Sequence, residues 1–143
     1  MNHPPFLNCL SITDYKAHFE KVYCRGTKPT FDGYRVRFRK SDFGHAFYES
    51  SCRDSLKDKF SIIRARRMDW IEATLLDPTS ELRIGYDNKR KRHDRGRRVA
   101  IVKGNYVVII SIISREWKIA RFITAFVAAG KSLAMILANP RWK

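Results

Sequence analysis

Phosphate chemistry needs fixed cations, a group that moves protons near neutral pH and a neutral hydrogen-bond donor, and this chain carries candidates for each. Arg64 and Arg67 lie in FSIIRARRMDWIEATLLDP. Steps of about 100° per residue put Phe60, Ile63, Trp70, Ile71 and Leu75 on one helix face and Arg66, Asp69 and Glu72 on the other. Arg64 and Arg67 then fall inside the apolar stripe. A buried guanidinium without a partner is costly. The pair therefore either meets Asp42, Glu49 or Asp54, snorkels to water from the stripe's edge, or rims a cleft and grips phosphate oxygens with its planar forks. His45, in GHAFYES, has the side chain suited to proton transfer both ways at neutral pH, although a lone histidine is more often structural. His3, His18 and His93 read as terminal, helix-surface and loop residues. Thr124, in ARFITAF, alternates onto one strand face with Phe122 and Phe126, opposite Arg121, Ile123 and Ala125, and offers a hydroxyl to a phosphate oxygen or simply fills a strand position.

A second constellation is DNKRKRHDRGRR. Lys89, Arg90, Lys91, Arg92, Arg95, Arg97 and Arg98 form either a docking loop for a phosphate backbone or an ordinary solvated charge run. Phe47, Tyr48, Phe122 and Phe126 are available for base stacking or for the core. No HExxH or paired-carboxylate spacing appears, so no metal site and no cofactor are expected. The AAGKS segment lacks the first glycine of a P-loop.

These residues need elements to hold them. Ser11 or Thr13 caps a helix over 11–23 that carries Tyr15, Phe19 and Val22 at helical spacing. YRVRFRK alternates Tyr34, Val36 and Phe38 with Arg35, Arg37 and Arg39, a period-two strand with a basic face. One continuous helix is expected over 60–76, stopped at Asp77-Pro78. Strands follow: ELRIGY, RRVAIVK, NYVVIISII and WKIARFITAF, with Gly104-Asn105 as a hairpin turn and AAGKSLAMILA as a closing helix. NYVVIISII is apolar on both faces and so central. Helices first and an antiparallel sheet after predict an α+β domain, its helices on one face of a roughly four-stranded antiparallel sheet and the other face open to a ligand. The 143 residues fit a single domain, read as an N-terminal helical extension (1–30) and a core (31–143).

Lys and Arg total 29 against 14 acids, a net charge of +15. Such an excess repels itself in a compact fold and points to a polyanion, nucleic acid first. An anionic membrane is the rival, but the charged segments lack a long amphipathic apolar face. The longest apolar run, Tyr106–Ile110 continuing to Ile113, is too short to span a bilayer. Three separated cysteines and no visible signal peptide predict reduced thiols in the cytoplasm.

HAFYES, the R-x-x-R-x-x-W-I helix with its D-P stop, and the strands NYVVIISII and RFITAF together resemble the phage-associated branch of the barnase–EndoU–colicin–RelE ribonuclease superfamily over roughly residues 43–127. The resemblance implies a two-helix, four-strand antiparallel fold that cuts RNA without metal, with His45, Arg64, Arg67 and Thr124 as its catalytic residues. A ribose 2′-hydroxyl would attack its own 3′-phosphate, leaving 2′,3′-cyclic phosphate and 5′-hydroxyl ends. The aromatic that closes the last motif is often tyrosine in such sequences and here is Phe126. Two other readings stand beside this one: a non-catalytic RNA- or DNA-binding phage protein on the same fold, and a toxin domain of phage or mobile-element origin held by an acidic inhibitor.

Overall fold

The computed structural model describes residues 3–50, 58–87, 92–93 and 97–142. Helix α1 (Ile12–Val22) starts where Ser11 accepts the Asp14 backbone N–H at 3.1 Å, with Asp14 favourably placed in the positive first turn. Its Tyr15 and Phe19, one turn apart, are buried. Strands β1 (Thr27–Pro29) and β2 (Arg35–Arg37) follow, then the short helix α2 (Asp42–Ala46) and strands β3 (Tyr48–Glu49) and β4 (Lys59–Phe60), paired with each other.

The single helix expected over 60–76 is broken in two. Phe60 belongs to β4, and α3 spans only Ile62–Ala65 before α4 (Met68–Leu76) begins. Ser61 caps α3 by accepting the Arg64 N–H at 3.2 Å. Tertiary donors then take the carbonyls at the junction: Leu7 N–H binds Arg66 O at 2.7 Å, and the Tyr23 hydroxyl binds Met68 O at 2.6 Å. Trp70 N–H turns to Arg67 O, three residues back, which tightens the chain locally. The break separates the phases of the two halves. Ala65, Met68, Ile71 and Leu75 are buried, whereas Ile63, expected on the apolar face, is 55% exposed. The stop at Asp77 occurs as expected.

The rest of the chain is β5 (Glu81–Ile84), β6 (Tyr86–Asp87), β7 (Arg92–His93), β8 (Arg98–Lys103), β9 (Tyr106–Ser114), β10 (Ile119–Val127) and α5 (Lys131–Ala138). The fold is α+β, but the sheet is six-stranded and mixed, in the order β1-β2-β10-β9-β8-β5. The expected four antiparallel strands are its β5, β8, β9 and β10. The correction is that β2 adds in parallel to the first half of β10, with β1 outside it. Gly104, at φ +65°, makes the turn between β8 and β9. On one sheet face, α1 to α4 close a core around Phe19, Phe38, Phe47, Met68 and Phe122. Segment 1–30, read as an extension, thus shares that core through Tyr15, Phe19 and Tyr23. The other face is not wholly open. Leu133, Ile136 and Leu137 of α5 pack on Ala100, Val102, Val107 and Phe126, covering one end of it.

Lys103 is 7% exposed and its ammonium lies 3.0 Å from Asp77. The Asp77 carboxyl, which also accepts from the hydroxyl and N–H of Thr79, is pulled down to about 2, first by those Thr79 bonds and then by Lys103. Its stabilising contribution is therefore present above the ordinary carboxylate range and is lost as pH falls through about 2.

Gly85 makes a close backbone approach at the β5–β8 edge. Its N–H donates to Arg98 O at 2.8 Å, and a Cβ there would lie 2.7 Å from Arg98 Cβ. Gly85→Ala is expected to cost about 1–3 kcal/mol through this overlap. Urea unfolding measures it, and an unchanged midpoint would show that the edge gives way freely.

Candidate nucleic-acid interface

The site is built by β10. Its pairing with β9 runs Phe122↔Ile110 and then Thr124↔Ile109, so Ile123 is an extra, bulged residue. The bulge reverses the expected alternation. Phe122 points into the core and is fully buried, while Thr124 and Phe126 join Arg121 on the opposite face. Beyond the end of α5, that face exposes a cross-strand row. Arg37 of β2 neighbours Arg121 of β10, which faces Ser111 of β9, which faces Arg98 of β8. At about 4.8 Å per strand the row spans about 14 Å. It contains three guanidinium groups, one hydroxyl and no carboxylate.

Like charges on adjacent strands destabilise a sheet, and here Arg37 and Arg121 are direct neighbours. Neither has an ion-pair partner among the described residues, and Nε of half-buried Arg121 is buried with no hydrogen bond. Arg35 and Thr124 border the row. So does Ile113, 55% exposed and two residues along β9 from Ser111, and the turn that joins β9 to β10 carries Trp117, 67% exposed. The row thus offers cations for phosphates beside apolar and aromatic surface for bases.

Of the residues expected from sequence, Arg98 belongs to this row and Thr124 borders it, while His45, Arg64 and Arg67 lie elsewhere. Arg64 is half-buried. Its Nη1 donates to Ala46 O at 3.3 Å, its Nε lies 3.5 Å from Glu49 Oε1, and its guanidinium sits 5.9 Å from the Phe126 ring. Arg64 therefore ties α2 and β3 to the half of β10 that β2 does not reach, and of the three carboxylates considered it meets Glu49. His45 is in the last turn of α2 on its exposed side, since Asp42, Phe43 and Ala46 form the buried side. It has no hydrogen-bond partner among the described residues.

Arg67 goes elsewhere. Its Nη1 donates to Ile63 O at 2.7 Å, and its guanidinium lies over Phe6 and Trp70, at 4.8 and 5.1 Å. Burial, then the neighbouring Arg66 charge, lowers its pKa. Arg67 helps hold residues 3–7 across the α3–α4 junction. There His3 stacks on Trp70 at 4.0 Å and the Trp70 indole N–H donates to Pro4 O at 2.7 Å. Burial and then Lys103 lower the His3 pKa, so the ring favours its neutral form.

Of the basic run, Lys89, Arg90, Lys91 and Arg95 lie outside the described residues, as does Asp54. Arg92 is placed only as backbone in β7, and Arg97 and Arg98 lead into β8. Sequence reading passed over Arg37, Arg121 and Ser111 as site residues. The alternating arginines of YRVRFRK carried the signal for Arg37, but nothing in the sequence showed that β2 would lie beside β10.

Among the described residues, no group of three or more His, Cys, Asp or Glu could hold a metal ion, and no helix is long and apolar enough to cross a membrane. No family model, curated protein or solved structure matches this chain.

Proposed function

We propose that the protein binds single-stranded RNA across the open end of its sheet. The observation that carries this reading is the Arg37–Arg121–Ser111–Arg98 row, where like charges adjoin on neighbouring strands with no acid between them. Phosphates relieve that repulsion, and counterion release adds to the affinity. A duplex major groove is read by an inserted helix or β-ribbon. A sheet face with exposed Ile113 on it, and exposed Trp117 in the hairpin turn of the same strands, suits splayed bases instead. The resemblance to ribonucleases favours RNA over DNA. The binding constant for a single-stranded RNA is expected to fall with salt with a log–log slope of about −2, three phosphates at about −0.7 each. Fluorescence anisotropy at several salt concentrations measures it, and an affinity independent of salt would remove the row from the interface.

One observation favours a second reading, metal-independent cleavage of the bound strand. Arg64 bonds the carbonyl of Ala46, the residue after His45, and reaches the Phe126 ring two residues beyond Thr124. Three of the four expected catalytic residues thus lie on adjoining elements, with Arg67 outside the set. In that reaction the 2′-oxygen bonds to phosphorus and the P–O5′ bond breaks. His45 moves the proton while Arg64 and Thr124 stabilise charge on the phosphate. Wild type in EDTA is expected to leave 2′,3′-cyclic phosphate ends, with His45→Ala inactive yet still binding RNA. Binding without cleavage by wild type leaves the protein a binder.

A further inference from the structure

A groove of about 380 Å³ runs between the N-terminal ends of α1 and α2, at the low end of the size range of small-ligand sites. Lys16 of α1 and Lys40 of the turn before α2 flank it, both exposed and without an ion-pair partner among the described residues. Thr13 and Ser41 add hydroxyls, and Ile12, 44% exposed, and half-buried Tyr48 supply apolar and aromatic surface. Asp42, the acid beside the turn, is 4% exposed and committed to Arg39 through its backbone N–H at 2.8 Å and guanidinium at 3.5 Å. The groove between Phe31 and Arg141 differs in this respect. There Arg83 is already bound to Glu81 and to Asn139 O. Among the described residues no acid pairs with the two lysines of the α1–α2 groove, and exposed His45 follows its lining residue Gly44 in the chain.

We propose that this groove seats one nucleotide, its phosphate between Lys16 and Lys40, its ribose near Thr13 and Ser41, and its base against Ile12 and Tyr48. As a subsite for the RNA strand it rests on the RNA-binding reading. Lys40 stands three residues past Arg37, on the stretch of chain that leads from the arginine row to the groove.

The test titrates the full chain with uridine 3′-monophosphate and with uridine at low salt, following chemical shifts by NMR. The nucleotide is expected to bind at least about tenfold more tightly than the nucleoside, since the charged phosphate contacts dominate. Lys16→Ala/Lys40→Ala is expected to lose that advantage. Gly44→Glu keeps both lysines but sets a carboxylate in the groove, and is expected to lose it too. A Cβ at Gly44 meets nothing within 4 Å and glutamate favours a helix over glycine, so this variant folds. Arg37→Glu/Arg121→Glu, which disables the row, is expected to leave mononucleotide binding unchanged.

Equal binding of uridine and its phosphate, or full affinity in both groove variants, overturns the subsite. So does loss of mononucleotide binding in the row variant, which would put the phosphate on the sheet. If wild type binds the mononucleotide in the groove but no RNA oligomer, the RNA reading fails, and with it the strand subsite, leaving a mononucleotide site.

Discussion

Arg37→Glu/Arg121→Glu is expected to bind single-stranded RNA about 100-fold more weakly than wild type, a loss of about 2.7 kcal/mol. The two side chains are adjacent in the row, so reversing both removes two phosphate contacts and sets two negative charges against the same backbone. The salt slope should become shallower by about 1 to 2 units, because each lost contact releases fewer counterions. Stability should move the other way in the milder Arg121→Gln variant. Removing one of two neighbouring like charges is worth about 0.2–1 kcal/mol, and the unpartnered buried Nε of Arg121 disappears with it. A variant that is more stable in urea and binds RNA less well would show that the sheet retains this repulsion for its ligand. Unchanged RNA affinity in the double charge reversal would refute the proposed interface. A fall in both stability and binding for Arg121→Gln would make Arg121 a packing residue.

Phe19→Ala is expected to cost about 3–5 kcal/mol, a large part of the 5–15 kcal/mol typical of a domain. Phe19 is fully buried and is the centre of the aromatic cluster. Its ring lies within 5.4–6.4 Å of Phe47, Tyr23, Phe43, Phe38 and Phe122, residues from four separate stretches of chain. Truncation removes contacts to all of them, and no single neighbour can move to fill the space without breaking its own packing. Denaturant unfolding followed by tryptophan fluorescence reads the loss. A cost below about 1 kcal/mol would mean that α1 is a detachable appendage and that the core closes without it.

Much of the local structure was legible in the sequence. Ser11 and Thr13 both announced a helix start, and Ser11 takes the role because its side chain can accept the first-turn N–H whatever lies elsewhere. The stop at Asp77 and the turn at Gly104-Asn105 rest on equally local chemistry, and the closing helix forms as α5. The basic alternation of YRVRFRK was visible too, and in the fold Val36 is buried between exposed Arg35 and Arg37. Arg64 was singled out for lying on an apolar stripe, and the structure does hold it half-buried against Ala46 O and Glu49.

Periodicity failed where a partner distant in the chain changed the local outcome. Leu7 and Tyr23 take carbonyls at the α3–α4 junction, so a sequence with continuous helical period becomes two helices and sends Arg67 to Phe6 and Trp70. The bulge at Ile123 turns Thr124 away from Phe122, because β10 must keep both Phe122 and Ala125 in the core beside β9.

The sequence alone determined the net charge, the cap of α1, the stop at Asp77, the turn at Gly104, and which side chains prefer burial, since each depends on a residue and its near neighbours. Only the tertiary structure decided that β2 runs parallel to β10, that α5 covers just one end of the second face, and that Arg37, Arg121 and Arg98 therefore share a row. Strand order and register are choices between surfaces far apart in the chain. Hydrophobic burial makes those choices, and the charges are carried to wherever it leaves them.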